Sequence, residues 1–329
     1  MKYNAYICPV MKRSVILVLF AGLLIASCKG NTANNQAHPA TRSFPSVEIP
    51  AMLTEGPDRL DYMATHLWNR YLDTTSLYLC DSLHFNGVEE EELEQQMGLY
   101  ATLLENISTQ NGKNSISAFY RQLEGFGLRY PDSRVFPKLS ELLNKYLYDP
   151  NSPVRNEDLW GVYAAHLAES PLVEDSYKPK YRYEADLCSR NPVGSVATDF
   201  AFTDTRGRVR TLHGIKAGHL LLVFGNPGCT ACRELVEQME RLPGINAAIS
   251  DGRLKVVDVF IDPEIDQWKA QVNTFPKNWI CGYDHRMAVT EERLYHVRGI
   301  PSLYLLDENK KILLKDAPQE KVLDYLAGI

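Results

Sequence analysis

Leu220-Leu221-Leu222-Val223-Phe224-Gly225-Asn226-Pro227-Gly228-Cys229-Thr230-Ala231-Cys232-Arg233-Glu234 runs from an unbroken apolar stretch into two closely spaced cysteines. Leu220 to Phe224 has the length and composition of a strand buried on both faces. From Cys229 to about Leu242 the chain reads as a helix. The cysteines therefore fall where a strand passes into a helix, and a Cys-x-x-Cys at such a junction in an α/β unit is a redox arrangement. A sulfur at a helix N-terminus meets free N–H groups and the positive end of the dipole, which favour a thiolate. The thiolate is the attacking species in disulfide exchange. This makes Cys229 the candidate nucleophile. Cys232, one turn further in, is the candidate resolving thiol.

Working outward, Leu254 to Ile261 is a second buried strand, and 263–298 is a mixed segment, helical in parts. Leu303 to Leu306 and Lys311 to Leu314 read as a hairpin about Asp307-Glu308-Asn309-Lys310, and Gln319 to Leu326 as a closing helix. Upstream, Ala201 to Thr203 and Val209 to Thr211 flank an Arg206-Gly207 turn. Strands alternating with helices predict an α/β layered domain over 190–329. The turn Asn191-Pro192-Val193-Gly194 marks its start. The segment 47–189 has a different texture. Four apolar stripes recur at helical spacing: Leu60, Met63, Leu67, Tyr71; Leu93, Met97, Tyr100, Leu104, Ile107; Phe136, Leu139, Leu143, Tyr146; and Leu159, Tyr163, Leu167 behind an Asn156 cap. Breakers separate them at Asn86-Gly87, Asn111-Gly112, Tyr130-Pro131, Asp149-Pro150 and Ser170-Pro171. The expectation is an all-α domain of about five or six helices. Trp68, Trp160 and Tyr163 belong to its core by their spacing, and His66, His84, His166, His285 and His296 form no recognisable catalytic set.

Gly299-Ile300-Pro301-Ser302 stands just before the Leu303–Leu306 strand. Together with the cysteine pair, the Asp199-Phe200 pair and the Leu306-Asp307 strand end, it resembles the thioredoxin family, nearest to the membrane-anchored TlpA-like members, over about 191–329. The resemblance implies a thioredoxin-like fold, a cis proline at Pro301 facing the cysteines, and a backbone contact from Ile300 to the substrate. The helical half resembles an uncharacterised N-terminal domain of bacterial lipoproteins. The chain departs from the family pattern in three places. Gly228 replaces the usual Trp, Thr230-Ala231 brings no positive charge between the cysteines, and Val223 stands where an acidic proton acceptor is common. Asp258, inside the apolar stretch Val256 to Phe260, is the alternative proton acceptor, because a carboxylate buried there without a partner would be costly. The bland reading puts Asp258 at a strand end facing water.

At the N-terminus, Lys12-Arg13 precede an apolar run from Val15 to Ala26, too short for a membrane-spanning helix and ending in Leu24-Ile25-Ala26-Ser27-Cys28. This resembles a lipobox, which implies a signal peptide over 1–27, cleavage before Cys28 and lipidation of its sulfur. Lys29 in place of Asp implies the outer membrane, facing the periplasm. Residues 28–46, rich in Asn, Ala, Thr, Pro and Ser, read as a flexible tether.

The chain has 329 residues, 45% of them hydrophobic, enough for two cores. Loss of 1–27 removes Lys2, Lys12 and Arg13 and no acid, taking the net charge from −6 to −9. That acidity disfavours nucleic acid as a partner. Of seven cysteines, Cys8 leaves with the leader and Cys28 carries lipid. Cys80, Cys188 and Cys281 remain beside the pair; Cys188 and Cys281 either bridge the domains or stay free. A zinc site at the pair would need Cys281 and His285 as further ligands. A merely structural bridge over so short a loop would constrain little. A peroxiredoxin would need Pro and Thr where Leu222 and Asn226 stand. A partner-binding lipoprotein using the fold as a scaffold would not need an intact pair. The expected function is dithiol–disulfide exchange on client proteins, with electrons from a membrane donor, and with neither cofactor nor metal.

Overall fold

The computed structural model describes residues 40–54 and 56–329. The expected leader over 1–27, the lipidation site Cys28 and the tether as far as residue 39 lie outside the described residues.

The N-terminal half carries six α-helices among the described residues: α1 (Pro57–His66), α2 (Glu90–Glu105), α3 (Thr109–Arg129), α4 (Val135–Leu147), α5 (Glu157–Glu169) and α6 (Lys178–Cys188). Their starts follow local chemistry. Glu90, Glu91 and Glu92 open α2 at the positive end of its dipole. The Ser108 hydroxyl accepts the Asn111 N–H at 3.1 Å to cap α3, and the Asn156 carboxamide accepts the Leu159 N–H at 3.2 Å to cap α5. The apolar stripes meet in a core of stacked and edge-on rings. Trp68 meets Tyr100 edge-on at 5.8 Å and Phe119 at 5.2 Å, while Trp160 lies against Tyr163.

Three details differ from the sequence reading. Asn111-Gly112 does not separate helices but lies in the first turn of α3. A Cβ at Gly112 would sit 3.0 Å from the Leu159 side chain, so the glycine serves close approach of α3 to α5. Asn86-Gly87 turns a small hairpin of β1 (His84–Phe85) and β2 (Val88–Glu89), so a two-stranded element interrupts the helices. Both turn residues have positive φ, 50° and 85°, as a tight hairpin requires. In the second half, 263–298 contains a strand, β7, which the periodicity did not show.

The second half consists of β3 (Ala201–Asp204), β4 (Val209–Thr211), β5 (His219–Phe224), α7 (Thr230–Glu240), α8 (Pro243–Ser250), β6 (Leu254–Phe260), α9 (Ile265–Gln271), β7 (Ile280–Tyr283), α10 (Ala288–Glu291), β8 (Ser302–Asp307), β9 (Ile312–Leu314) and α11 (Gln319–Ala327). The strands form one seven-stranded sheet in the order β4-β3-β7-β6-β5-β8-β9. Central β5 runs parallel to β6 and antiparallel to β8. Alternate residues of β5 serve opposite faces. Leu221 and Val223 pack with Leu235, Met239, Ile249 and Val322 of the covering helices, while Leu220, Leu222 and Phe224 pack with Phe200, Phe202 and Tyr295. Burial on both sides is why the strand reads as a continuous apolar run. The fold is therefore a helical domain followed by a thioredoxin-like α/β domain.

The two halves meet through buried charge. Arg298 donates to Glu157 Oε1 and to Asp316 Oδ2, each at 2.8 Å. Lys315 donates to Asp158 Oδ1 at 2.9 Å and to the Cys188 carbonyl at 2.6 Å. Arg155 reaches the carbonyls of Asp316 and Ala317, both at 2.8 Å. Burial opposes the Glu157 charge, but His296, Lys315 and Arg298 outweigh it and hold its carboxyl below the usual range.

Removing one partner from such a network leaves the others uncompensated. Glu157→Ala should therefore lower stability by about 3–5 kcal/mol, seen as a fall in the urea midpoint. Arg70→Ala, which breaks the exposed Arg70–Glu48 pair at 2.8 Å, should leave that midpoint nearly unchanged.

Candidate active site

β5 ends at Phe224, and Gly225 to Gly228 carry the chain over the sheet edge into α7. The Asn226 side chain accepts the Gly228 N–H at 2.8 Å, and its carbonyl accepts the Cys229 N–H at 2.9 Å. These two bonds set Cys229 as the N-cap of α7. Its Sγ accepts the Cys232 N–H at 3.3 Å, the role a serine oxygen plays in an ordinary cap. Cys229 is partly exposed, whereas Cys232 retains only 2% of its surface. Burial pushes the Cys232 thiol well up, and the bond to Cys229 adds to this.

Across from the cysteines, the Ile300–Pro301 peptide bond is cis. The Cys229 thiol lies 3.7 Å from the Ile300 carbonyl oxygen. Cys229, Cys232, Ile300 and Pro301 thus form one cluster at the strand-to-helix edge. The loop is held from both ends, with Arg298 on Glu157 and Asp316, and the Ser302 hydroxyl donating to Asp316 Oδ1 at 2.7 Å.

Asp258 lies in the middle of β6, paired with Val223 on one side and Cys281 on the other. It is fully buried, and neither carboxyl oxygen has a hydrogen-bond partner. The strand-end alternative does not hold. A Cβ at Gly225 would lie 2.5 Å from Asp258 Oδ2, so the carboxyl tip occupies the space left under the start of the cysteine loop. Burial pushes the carboxyl up to about 8. Its charge in turn bears on both Cys232 and Cys281, each already raised by burial.

The other thiols stand apart. Cys188 and Cys281 are both free and buried, so no bridge joins the domains; Cys188 faces His296 at 3.8 Å. Cys80 is free and half-buried beside Asn86. His285, which a zinc site would have drawn on, is held by Thr203 at 3.1 Å. Glu157, Cys188 and His296 present ligand-type atoms within 4.8 Å of one another, but Arg298 and Lys315 already give Glu157 the positive charge a metal would bring. One residue escaped the sequence reading. Arg233 donates to Thr230 Oγ1 at 3.2 Å, which brings a cation to the residue next to Cys229. Its only signal was the helical spacing of the two.

The family described as a domain of unknown function, DUF5106, matches residues 26–191. No curated protein matches the chain. A thioredoxin-like protein from Bacteroides caccae is 31% identical, with a TM-score of 0.73, over 87% of this chain and 99% of that one. The C-terminal domain of an uncharacterized protein from Bacteroides fragilis is 43% identical over 42% of this chain and 98% of its own, with a TM-score of 0.40. The thioredoxin domain of a thiol-disulfide oxidoreductase from Bacteroides vulgatus is 23% identical over 41% of this chain and 98% of its own, with a TM-score of 0.36. With a helical half of the DUF5106 family and a sheet half built around Cys229, Cys232 and Pro301, the chain belongs to the thioredoxin-like proteins.

Proposed function

We propose that the protein is a thiol–disulfide oxidoreductase that reduces or isomerises disulfides of client proteins in the bacterial envelope. The observation that carries this reading is Cys229 as the half-exposed cap of α7, its sulfur 3.7 Å from the Ile300 carbonyl, with Cys232 buried behind it. The Cys229 thiolate attacks one sulfur of the client disulfide. That S–S bond breaks, a mixed disulfide forms, and the client's leaving thiolate takes up a proton. Cys232 then gives up its proton and attacks Cys229 Sγ, which frees the second client thiol and leaves a Cys229–Cys232 disulfide. Two electrons pass from enzyme to client. A dithiol donor at the membrane restores the reduced pair. The exposed Ile300 and the half-buried Pro301 offer the edge along which the client chain lies.

Asp258 is the acceptor for the Cys232 proton. A carboxyl poised near 8 exchanges a proton close to neutral pH. No hydrogen bond joins it to Cys232, but its charge bears on that thiol. Leu24 to Cys28 support a lipid anchor, with Lys29 favouring the outer membrane and its periplasmic side.

Three outcomes test this. Cys229→Ser should abolish insulin reduction, and Cys232→Ser should trap a mixed disulfide with client protein. Peroxide turnover without any exchange would overturn the reading, and a couple near about −120 mV would reverse its direction. Asp258→Asn should slow resolution of the mixed disulfide by about tenfold or more and remove the rate's pH dependence near 8.

The same carboxyl also affects stability. It titrates near 8 when folded and near its ordinary value, about 3.9, when unfolded. Below both values the two states bind the proton equally. Between them only the folded chain does, so the contribution of this carboxyl to wild-type stability falls as pH rises from about 4 to about 8. Asp258→Asn lacks this slope. Its urea midpoint should exceed that of the wild type by a margin that grows across the same window; a constant margin would contradict a buried titrating carboxyl.

A further inference from the structure

A cavity of about 240 Å³ opens beside the redox pair, and the helical half supplies one of its walls. Pro150, Asn151 and Arg155 of the α4–α5 loop face Ala231, Ile300 and Pro301. Ala231 lies between the two cysteines, and the Ile300 carbonyl faces Cys229. A client chain that brings a disulfide to Cys229 must pass its flanking residues along this opening.

The helical wall is fixed in place. Arg155 donates to two carbonyls of the sheet half at 2.8 Å, and a Cβ at Gly299 would meet Pro150 Cβ at 3.4 Å. The volume lies below the roughly 300–1,000 Å³ of small-molecule pockets and suits a single long side chain.

Charge selects that side chain. In the junction, Arg155, Arg298 and Lys315, with the His296 imidazole on Glu157 at 3.1 Å, stand against the three carboxylates Glu157, Asp158 and Asp316. Arg155 turns Nε, Nη1 and Nη2 to the carbonyls of Asp316, Ser152 and Ala317 and lies 3.7 Å from Asp316 Oδ2. Glu320, exposed in the first turn of α11, lines the cavity, makes no ion pair among the described residues, and its charge bears on Arg155 across the lining. Pro150, Pro301 and Leu303 add apolar surface. An apolar stem with a cationic head fits such a lining. We propose that the α4–α5 loop, the Pro301 loop and Glu320 form a client subsite for a lysine or arginine beside the client's reactive cysteine. This rests on the oxidoreductase reading above.

The test uses the full chain, reduced, with two disulfide-linked peptides identical except for Lys or Glu next to the cysteine, and with hydroxyethyl disulfide as a neutral substrate. Wild type should turn over the Lys peptide with a kcat/KM about two- to fivefold above the Glu peptide, the scale of one partly exposed charge pair. Glu320→Gln should bring that ratio close to one, as should about 0.5 M salt. Asn151→Lys, on the helical wall, should invert it. Equal turnover of the two peptides by an enzyme that reduces hydroxyethyl disulfide would overturn the subsite alone. A preference untouched by Glu320→Gln and Asn151→Lys would do the same. No turnover of hydroxyethyl disulfide would overturn the oxidoreductase reading and the subsite with it.

Discussion

Glu157 of the helical half and Arg298 of the sheet half meet at 2.8 Å with both side chains shut away from solvent. Buried pairs of this kind recover little net stability, because each ion loses its hydration, but they tolerate no loss of a partner. Here the pair sits where geometry matters most. Arg298 begins and Ser302 ends the short loop that carries Ile300 and Pro301, and both side chains bond to Asp316. Arg155 closes the same network from the helical side. The position of the loop facing Cys229 is thus set jointly by two halves of the chain that are separate in sequence. The helical half is part of how the redox face is built.

Beneath the cysteines the governing constraint is the dielectric of the sheet. Val223 of β5 pairs with Asp258 of β6, and alternation along both strands points the two side chains to the same face. A carboxyl therefore stands on the strand next to Val223, at the same level. Gly225 leaves room for its carboxyl tip, and burial raises its pKa toward neutrality. A packing choice at one glycine and an exchange of residues between paired strands together keep a titratable group below a buried thiol. Arg233, tied back to Thr230, adds a cation where the dipeptide between the cysteines has none.

The sequence by itself determined what depends on near neighbours along the chain. Leu220 to Phe224 announced a doubly buried strand, and Cys229 was legible as the start of a helix, because burial and helix ends leave marks within a few residues. The Asn156 cap and the stripes of α2, α4 and α5 are local in the same sense. Tertiary structure alone decided the rest. Ile280 to Tyr283 is too short and too glycine-broken to read as a strand; it becomes one because Gly282 fits against Phe202 and the Thr203 carbonyl, where a Cβ would sit 2.4 and 2.7 Å away. Asn111-Gly112 looked like a break and proved to be a helical contact, because the reason for the glycine lies on α5. The burial of Asp258, the freedom of Cys188 and Cys281, and the clamp from Glu157 to Arg298 join residues far apart in the chain. Their energies come from who faces whom in space, and no local pattern encodes that.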